Sequence, residues 1–168
     1  HNKSLDGDLV LGGGQNKIPE GCFKDCTFLH AANDILDIPR SVNSLDDFAF
    51  QNCDQILFGK IKIKGGVDIG INALEPFNFE SLIVPDYEAT LENIDYEYFK
   101  PKTIQLEFEN YIYSDLRTIQ NNCFSGYNLA GDLQLPLRLE GIGDYGFYNC
   151  SGISGNLIIS NNLETIGE

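Results

Sequence analysis

The sequence predicts an α/β solenoid of about six and a half repeats, with one short parallel strand per repeat and little helix. Two observations carry this. The segment Leu36–Cys53, LDIPRSVNSLDDFAFQNC, lies on Leu133–Cys150, LQLPLRLEGIGDYGFYNC, without a gap. Leu36, Ile38, Pro39, Val42, Leu45, Asp47, Phe50, Asn52 and Cys53 fall on Leu133, Leu135, Pro136, Leu139, Ile142, Asp144, Phe147, Asn149 and Cys150. A single copy has too few apolar residues to enclose a core, so it needs copies above and below it.

Within a copy, Leu133 and Leu135 alternate with Asp132 and Gln134 and share one side of a strand. Pro136 ends that strand because it has no amide hydrogen for a ladder. Leu139, Ile142 and Phe147 then carry the core around the turn. Short helical turns are expected over Asp47–Asn52 and Asp144–Asn149, where polar residues separate core anchors.

Taken in order, the first repeat is Leu9, Leu11, Ile18, Phe23 and Cys26, with Gly12–Gly14 at the Pro place and a longer link over residues 27–35. The second is Leu36–Cys53. The third reads as Ile61, Ile63, Ile71, Leu74 and Phe79, with Gly65 and Gly66 for Pro and four extra residues before Ile71. The fourth reads as Leu82, Val84, Pro85, Leu91, Ile94 and Phe99, with three extra residues at the same place. The fifth reads as Ile112, Leu116, Ile119 and Phe124, although the register of the preceding TIQLEFENYIY is ambiguous. The sixth is Leu133–Cys150. The seventh runs through Leu157, Ile159, Ser160, Leu163 and Ile166. Phe23, Phe50, Phe79, Phe99, Phe124 and Phe147 are then expected to stack as an aromatic spine. The chain, residues 1–168, reads as one solenoid segment of a longer array. Glu168 falls in mid-repeat, so a continuation or another chain is expected to cover that end.

The pattern L-x-L-P-x-x-L-x-x-I-G-D-Y-G-F-Y-N-C-S-G-I-S-G-N-L-I-I resembles the BspA-like leucine-rich repeats. Departures are Gly65, Gly66 and Ser160 for Pro, and Asn78, Tyr98 and Cys123 where Ala is usual. The resemblance implies a secreted or cell-surface protein that binds a protein ligand, such as a host matrix or cell-surface protein.

Composition narrows the function further. The net charge of −14 opposes nucleic-acid phosphates and anionic membrane surfaces. No apolar run is long enough to insert in a membrane. The five cysteines cannot all pair within the chain. Cys26, Cys53 and Cys150 share one repeat phase, and Cys22 and Cys123 another, which suggests buried thiols in a small-residue column. A Cys22–Cys26 disulfide stays open. No nucleophile–base motif, metal-ligand spacing or cofactor fingerprint is present. The doublets Asp6/Asp8 and Asp46/Asp47 read as solvated turn residues. The sequons at Asn2 and Asn149 are discounted, the second because it lies in the repeat core.

The functional expectation is a non-enzymatic adhesion or protein-binding module. The alternatives are the substrate platform of a carbohydrate-active enzyme and a passive spacer. Outward strand positions are Val10, Asp37, Lys62, Ile83, Tyr111, Gln134 and Ile158. The candidate binding face is Lys60, Lys62, Lys64, Ile83, Tyr111, Tyr113 and Gln134, because Tyr is enriched at protein contacts. Catalytic residues, metals and cofactors are not expected.

Overall fold

The computed structural model describes residues 5–76, 78–94, 99 and 102–168. Each repeat forms one rung: a longer strand, a bend, a two-residue strand and a run of tight turns. The strands pair in parallel. The expected parallel solenoid with almost no helix is what the chain forms. Among the described residues the one helical element with its own span is a 3-10 turn at Ala32–Asp34. By contacts the chain divides into two compact units, residues 1–63 with 67–81, and residues 64–66 with 82–168.

The first unit holds β1 (Asp6–Leu9), β2 (Lys17–Ile18), β3 (Phe28–Ala31), β4 (Ile35–Asp37), β5 (Ser44–Leu45), β6 (Phe58–Lys62) and β7 (Asp68–Ile69). Leu36 pairs with Ile61 across β4 and β6, so both inward rows face the same core. β2, β5 and β7 form a second ladder, with Ile18 beside Leu45 and Leu45 beside Ile69. That ladder was not read from the sequence, because two residues are too few to show alternation. The link expected at 27–35 contains β3, which pairs with β1 from Asp6↔Phe28 to Leu9↔Ala31.

β8 (Asn78–Val84) runs from one unit into the other. The second unit adds β9 (Thr90–Leu91), β10 (Thr103–Phe108), β11 (Thr118–Ile119), β12 (Asn128–Gln134), β13 (Gly141–Ile142), β14 (Ser151–Ile158) and β15 (Thr165–Ile166). β10, β12 and β14 make one ladder. β9, β11, β13 and β15 make the other.

The turn runs supply a third ladder. Ala49, Gln51 and Cys53 each donate to the carbonyl three residues back, while Phe48, Phe50 and Asn52 donate to Ile71, Ala73 and Glu75 of the next rung. The same alternation recurs at Asn122, Phe124 and Gly126, which donate to Asp144, Gly146 and Tyr148. Alternate donors thus close the turn and tie the rungs, so few buried amides are left over. These are not the helical turns expected at Asp47–Asn52 and Asp144–Asn149. Phe48 and Asn52 sit at φ 60° and 61°, and Tyr145 and Asn149 at 57° and 53°, in the left-handed region that interrupts a helix.

The register corrects three repeats. Ile69, not Leu74, matches Leu45, and Leu91, not Ile94, matches Ile119. Ile69 and Leu91 then lie six and seven residues after Ile63 and Val84, close to the seven between Ile38 and Leu45. The extra residues expected before Ile71 and Leu91 are therefore absent. Ile71 is 66% exposed. In the fifth repeat the strand is β10, with Ile104, Leu106 and Phe108 inward, and Ile112 lies exposed in the turn that follows. A three-then-five apolar spacing fits two registers in these repeats, and core burial selects the other one.

The aromatic spine is accordingly partial. Phe23 stacks on Phe50 at 5.1 Å and Phe124 on Phe147 at 5.1 Å. After Phe50 the next rung presents Leu74, while Phe79 is buried in β8 instead. Phe99 stacks on Tyr127 at 6.5 Å. The departures from Pro have physical reasons too. Ser160 is buried, donates to the Leu137 carbonyl and accepts from the Asn162 amide, so it closes the turn by itself. Gly65 lies so close to Glu92 that an added Cβ would meet its Cα at 2.9 Å. Tyr98 and the Asn2 sequon lie outside the described residues.

Candidate protein-binding surface

The outward row exists where the register is regular. In the first unit Asp37 pairs with Lys62 across β4 and β6, and Lys62 Nζ lies 2.7 Å from Asp37 Oδ2. Lys62 is therefore half-buried and already committed to a carboxylate. Lys60, also half-buried, stands beside Ile35 on the neighbouring strand. Lys64 follows β6 and belongs to the second unit, so the three lysines do not form one strand of charge. In the second unit Gln134 pairs with Ile158 at the ends of β12 and β14.

Two expectations fail. Ile83 is only 8% exposed, because β8 is buried on both faces from Ser81 to Val84. A continuous apolar run reads as a strand covered on both sides, which Leu82–Ile83–Val84 is. Tyr111 and Tyr113 are not on a strand; they sit in the turn after β10. That turn nevertheless presents them. Tyr113 is 67% exposed, and the Tyr111 carbonyl accepts the Leu137 amide at 2.9 Å. Exposed Ile112 and Leu137 therefore lie on adjacent loops of neighbouring rungs. Arg138 Nη1 is 3.7 Å from Asp115 Oδ1, and Arg117 Nε is 3.4 Å from Glu140 Oε1.

Of the acidic residues read as turn groups, Asp6 and Asp8 lie on strand β1 instead, and Asp46 and Asp47 bind groups of the neighbouring rungs. Asp46 accepts Lys17 Nζ at 2.8 Å and Ser44 Oγ at 2.9 Å. The Lys17 bond, then that from Ser44, holds its carboxyl below the usual range. Asp47 Oδ1 accepts the Ile71 amide at 2.8 Å, and Asn121 Oδ1 the Asp144 amide at 2.9 Å. In each case the following rung has Gly at the contact. A Cβ on Gly70 would meet Asp47 N at 2.6 Å, and one on Gly143 would meet Asn121 N at 2.6 Å. The recurring Ile-Gly pair was the visible signal of this cross-rung cap.

No cysteine forms a disulfide in this structure. Cys53 Sγ donates to the Phe23 carbonyl at 2.6 Å, and Cys150 Sγ to the Phe124 carbonyl at 3.0 Å. The column is thus both apolar filler and cross-rung donor. At the same step Tyr127 donates instead to Ile94 O at 2.7 Å. Burial pushes the Cys53 and Cys123 thiols up to about 12, because a thiolate there would lose its water. Cys22 is exposed and Cys26 buried. Among the described residues no group of three His, Cys, Asp or Glu is placed to hold a metal, and no helix is long and apolar enough to cross a membrane.

Stacked parallel rungs with three cross-rung ladders define a leucine-rich repeat solenoid. Residues 92–168 match the family described as the BspA type leucine rich repeat region (6 copies). This segment is similar to that family, as the Leu-Pro, Ile-Gly and Asn-Cys pattern implied. No curated protein and no solved structure matches the chain.

Proposed function

We propose that the chain is a non-enzymatic protein-binding module that works outside the cell or on its surface. The observation that carries this is the rim of the second unit, where Tyr113, Ile112 and Leu137 stand exposed beside Arg138. Tyr and Arg are the residues that concentrate binding energy at protein contacts, and apolar neighbours exclude water around them. The rim is held by backbone bonds to a packed rung, so little ordering entropy is lost on contact. Lys60 and Lys62 on β6 are a second candidate patch, in the first unit, with Lys64 and Gln134 as further candidates in the second. The leucine-rich repeat family supports a protein as the ligand.

The test is adhesion to host cells or to immobilised matrix proteins. The double variant Tyr113→Ala/Arg138→Ala is expected to weaken binding about tenfold or more, the loss typical of two contact anchors. Its melting temperature should stay near that of the parent. Parental binding by this variant, with the fold intact, would remove the rim from the account and move attention to Lys62.

A further inference from the structure

The acceptor motif Asn149-Cys150-Ser151 does not lie in the core as its place in the repeat suggested. It spans the end of the sixth turn run and the first residue of β14. Asn149 and Ser151 are exposed, and Cys150 between them is half-buried. The Cys150 thiol donates to the Phe124 carbonyl at 3.0 Å and forms no disulfide, so it anchors the turn from inside. The two side chains that an oligosaccharyl transferase reads are thus both open to solvent.

This exposure is a property of the turn. Asn149 sits at φ 53°, in the left-handed region that Asn tolerates. Asn52 holds the same turn position at φ 61° and is also exposed, although it has a rung on each side. Its amide donates to Glu75 O of one neighbouring rung, while Asp25 N of the other donates to Gln51 O. The two Asn side chains differ in what they meet. Asn52 Nδ2 donates to Asp25 Oδ1 at 2.8 Å. The rung before Asn149 has Gly126 at that place, which offers no side-chain acceptor. Among the described residues the Asn149 side chain has no hydrogen-bond partner. Ser151 Oγ donates to Asn128 Oδ1 at 3.2 Å, longer than a usual hydroxyl bond, so the hydroxyl is only weakly held. Other rungs carry one half of the motif without the other. Asn52 is followed by Cys53 and Asp54, and the hydroxyl of Thr27 stands two residues after Asp25.

We propose that Asn149 is an acceptor for an N-linked glycan. The proposal rests on the reading that the chain works outside the cell, where the secretory route would supply the transferase. The co-reactant is an oligosaccharide carried on a lipid diphosphate. A bond forms between Asn149 Nδ2 and the anomeric carbon of the first sugar. The bond from that carbon to the diphosphate oxygen breaks, and the lipid diphosphate leaves with the electron pair. Nδ2 gives up one proton to a base of the transferase. Nothing is oxidised or reduced. The glycan would stand on the turn run after β13, whereas Leu137 and Arg138 of the rim precede β13, so the modification and the rim use different loops of the rung.

The test directs the whole chain into the secretory pathway of insect cells with a cleavable leader, in an Asn2→Gln background that silences the other acceptor motif. Mass spectrometry of the secreted protein should show added hexose and N-acetylhexosamine mass, mapped to the peptide that holds Asn149. Peptide N-glycosidase in heavy-oxygen water should remove that mass and leave a labelled Asp at this position. Asn149→Gln and Ser151→Ala should each abolish the added mass, and Ser151→Thr, which keeps the hydroxyl, should retain it. An unmodified Asn149 in the secreted, folded chain would overturn the proposal. So would modification that survives Ser151→Ala, because the transferase would not be its source. These masses are read without any adhesion assay, and Asn149→Gln leaves Tyr113 and Arg138 in place. Failure here is therefore distinct from failure of the adhesive rim.

Discussion

Leu36–Cys53 and Leu133–Cys150 are the two segments most alike in sequence, and they fold alike. Each has the same turn bonds to the carbonyl three residues back and the same left-handed pair, Phe48 with Asn52 and Tyr145 with Asn149. Their burial differs. Leu45, Phe50 and Cys53 are fully buried, whereas Ile142, Phe147 and Cys150 are half-buried. Phe50 has Phe23 on one side and the Leu74 rung on the other, with turn bonds to both. Phe147 has Phe124 on one side, and the rung of Ile166 covers the other only in part. One sequence pattern therefore specifies the rung, while its neighbours decide how much the rung contributes to stability.

That difference predicts unequal costs for equal mutations. Phe50→Ala should lower the unfolding free energy by about 3–5 kcal/mol, because it opens a cavity in a core that is closed on both sides. Phe147→Ala should cost less than half of that, as solvent already reaches the site. Chemical denaturation of the two variants measures both, and equal losses would break the comparison.

Gly143→Ala sharpens it at the backbone. The new methyl meets Asn121, and relief of such overpacking costs about 1–3 kcal/mol. Gly13→Ala, where an added Cβ has open space around it, should cost far less. Thermal melts of the pair check this.

The thiols give a pH-dependent comparison. Burial pushes the folded-state pKa of Cys53 and Cys123 up to about 12, against 9.0 for an ordinary thiol. The unfolded chain therefore releases these protons first as pH rises. Stability is fully present below about pH 9 and is lost progressively as pH climbs towards 12. Cys53→Ala should flatten part of that alkaline fall. At neutral pH a thiol reagent should label exposed Cys22 in seconds to minutes and leave Cys53 and Cys123 unlabelled until the chain unfolds. Rapid labelling of Cys53 in the folded chain would contradict its burial.

The legible part of the fold was the part where two copies align without a gap. The third and fourth repeats were misread because Ile71–Leu74–Phe79 and Leu91–Ile94–Phe99 satisfy the apolar spacing in a register the core does not use, while in the fifth Ile119 and Phe124 keep their register and only the strand position Ile112 was misplaced. The left-handed turns were missed because D-x-x-F-x-N looks helical by composition, although Asn tolerates positive φ and thus permits the alternation. Of the candidate surface, the Asp37–Lys62 and Gln134–Ile158 pairs followed from strand alternation alone. Tyr111 and Tyr113 were rightly singled out as surface aromatics but wrongly placed on a strand. Ile83 was lost because alternation says nothing when both faces of a strand are covered. The rim of Tyr113 and Arg138 needed the three-dimensional adjacency of two loops that are far apart in sequence.

The central claim is that neighbouring rungs, rather than the rung's own sequence, set local stability. Native-state hydrogen exchange at two equivalent amides tests it most directly. Phe50 N donates to Ala73 O, while Phe147 N has no acceptor among the described residues. The account predicts that Phe50 exchanges only through large-scale unfolding and that Phe147 exchanges orders of magnitude faster. Equal protection of the two amides in the free chain would contradict it.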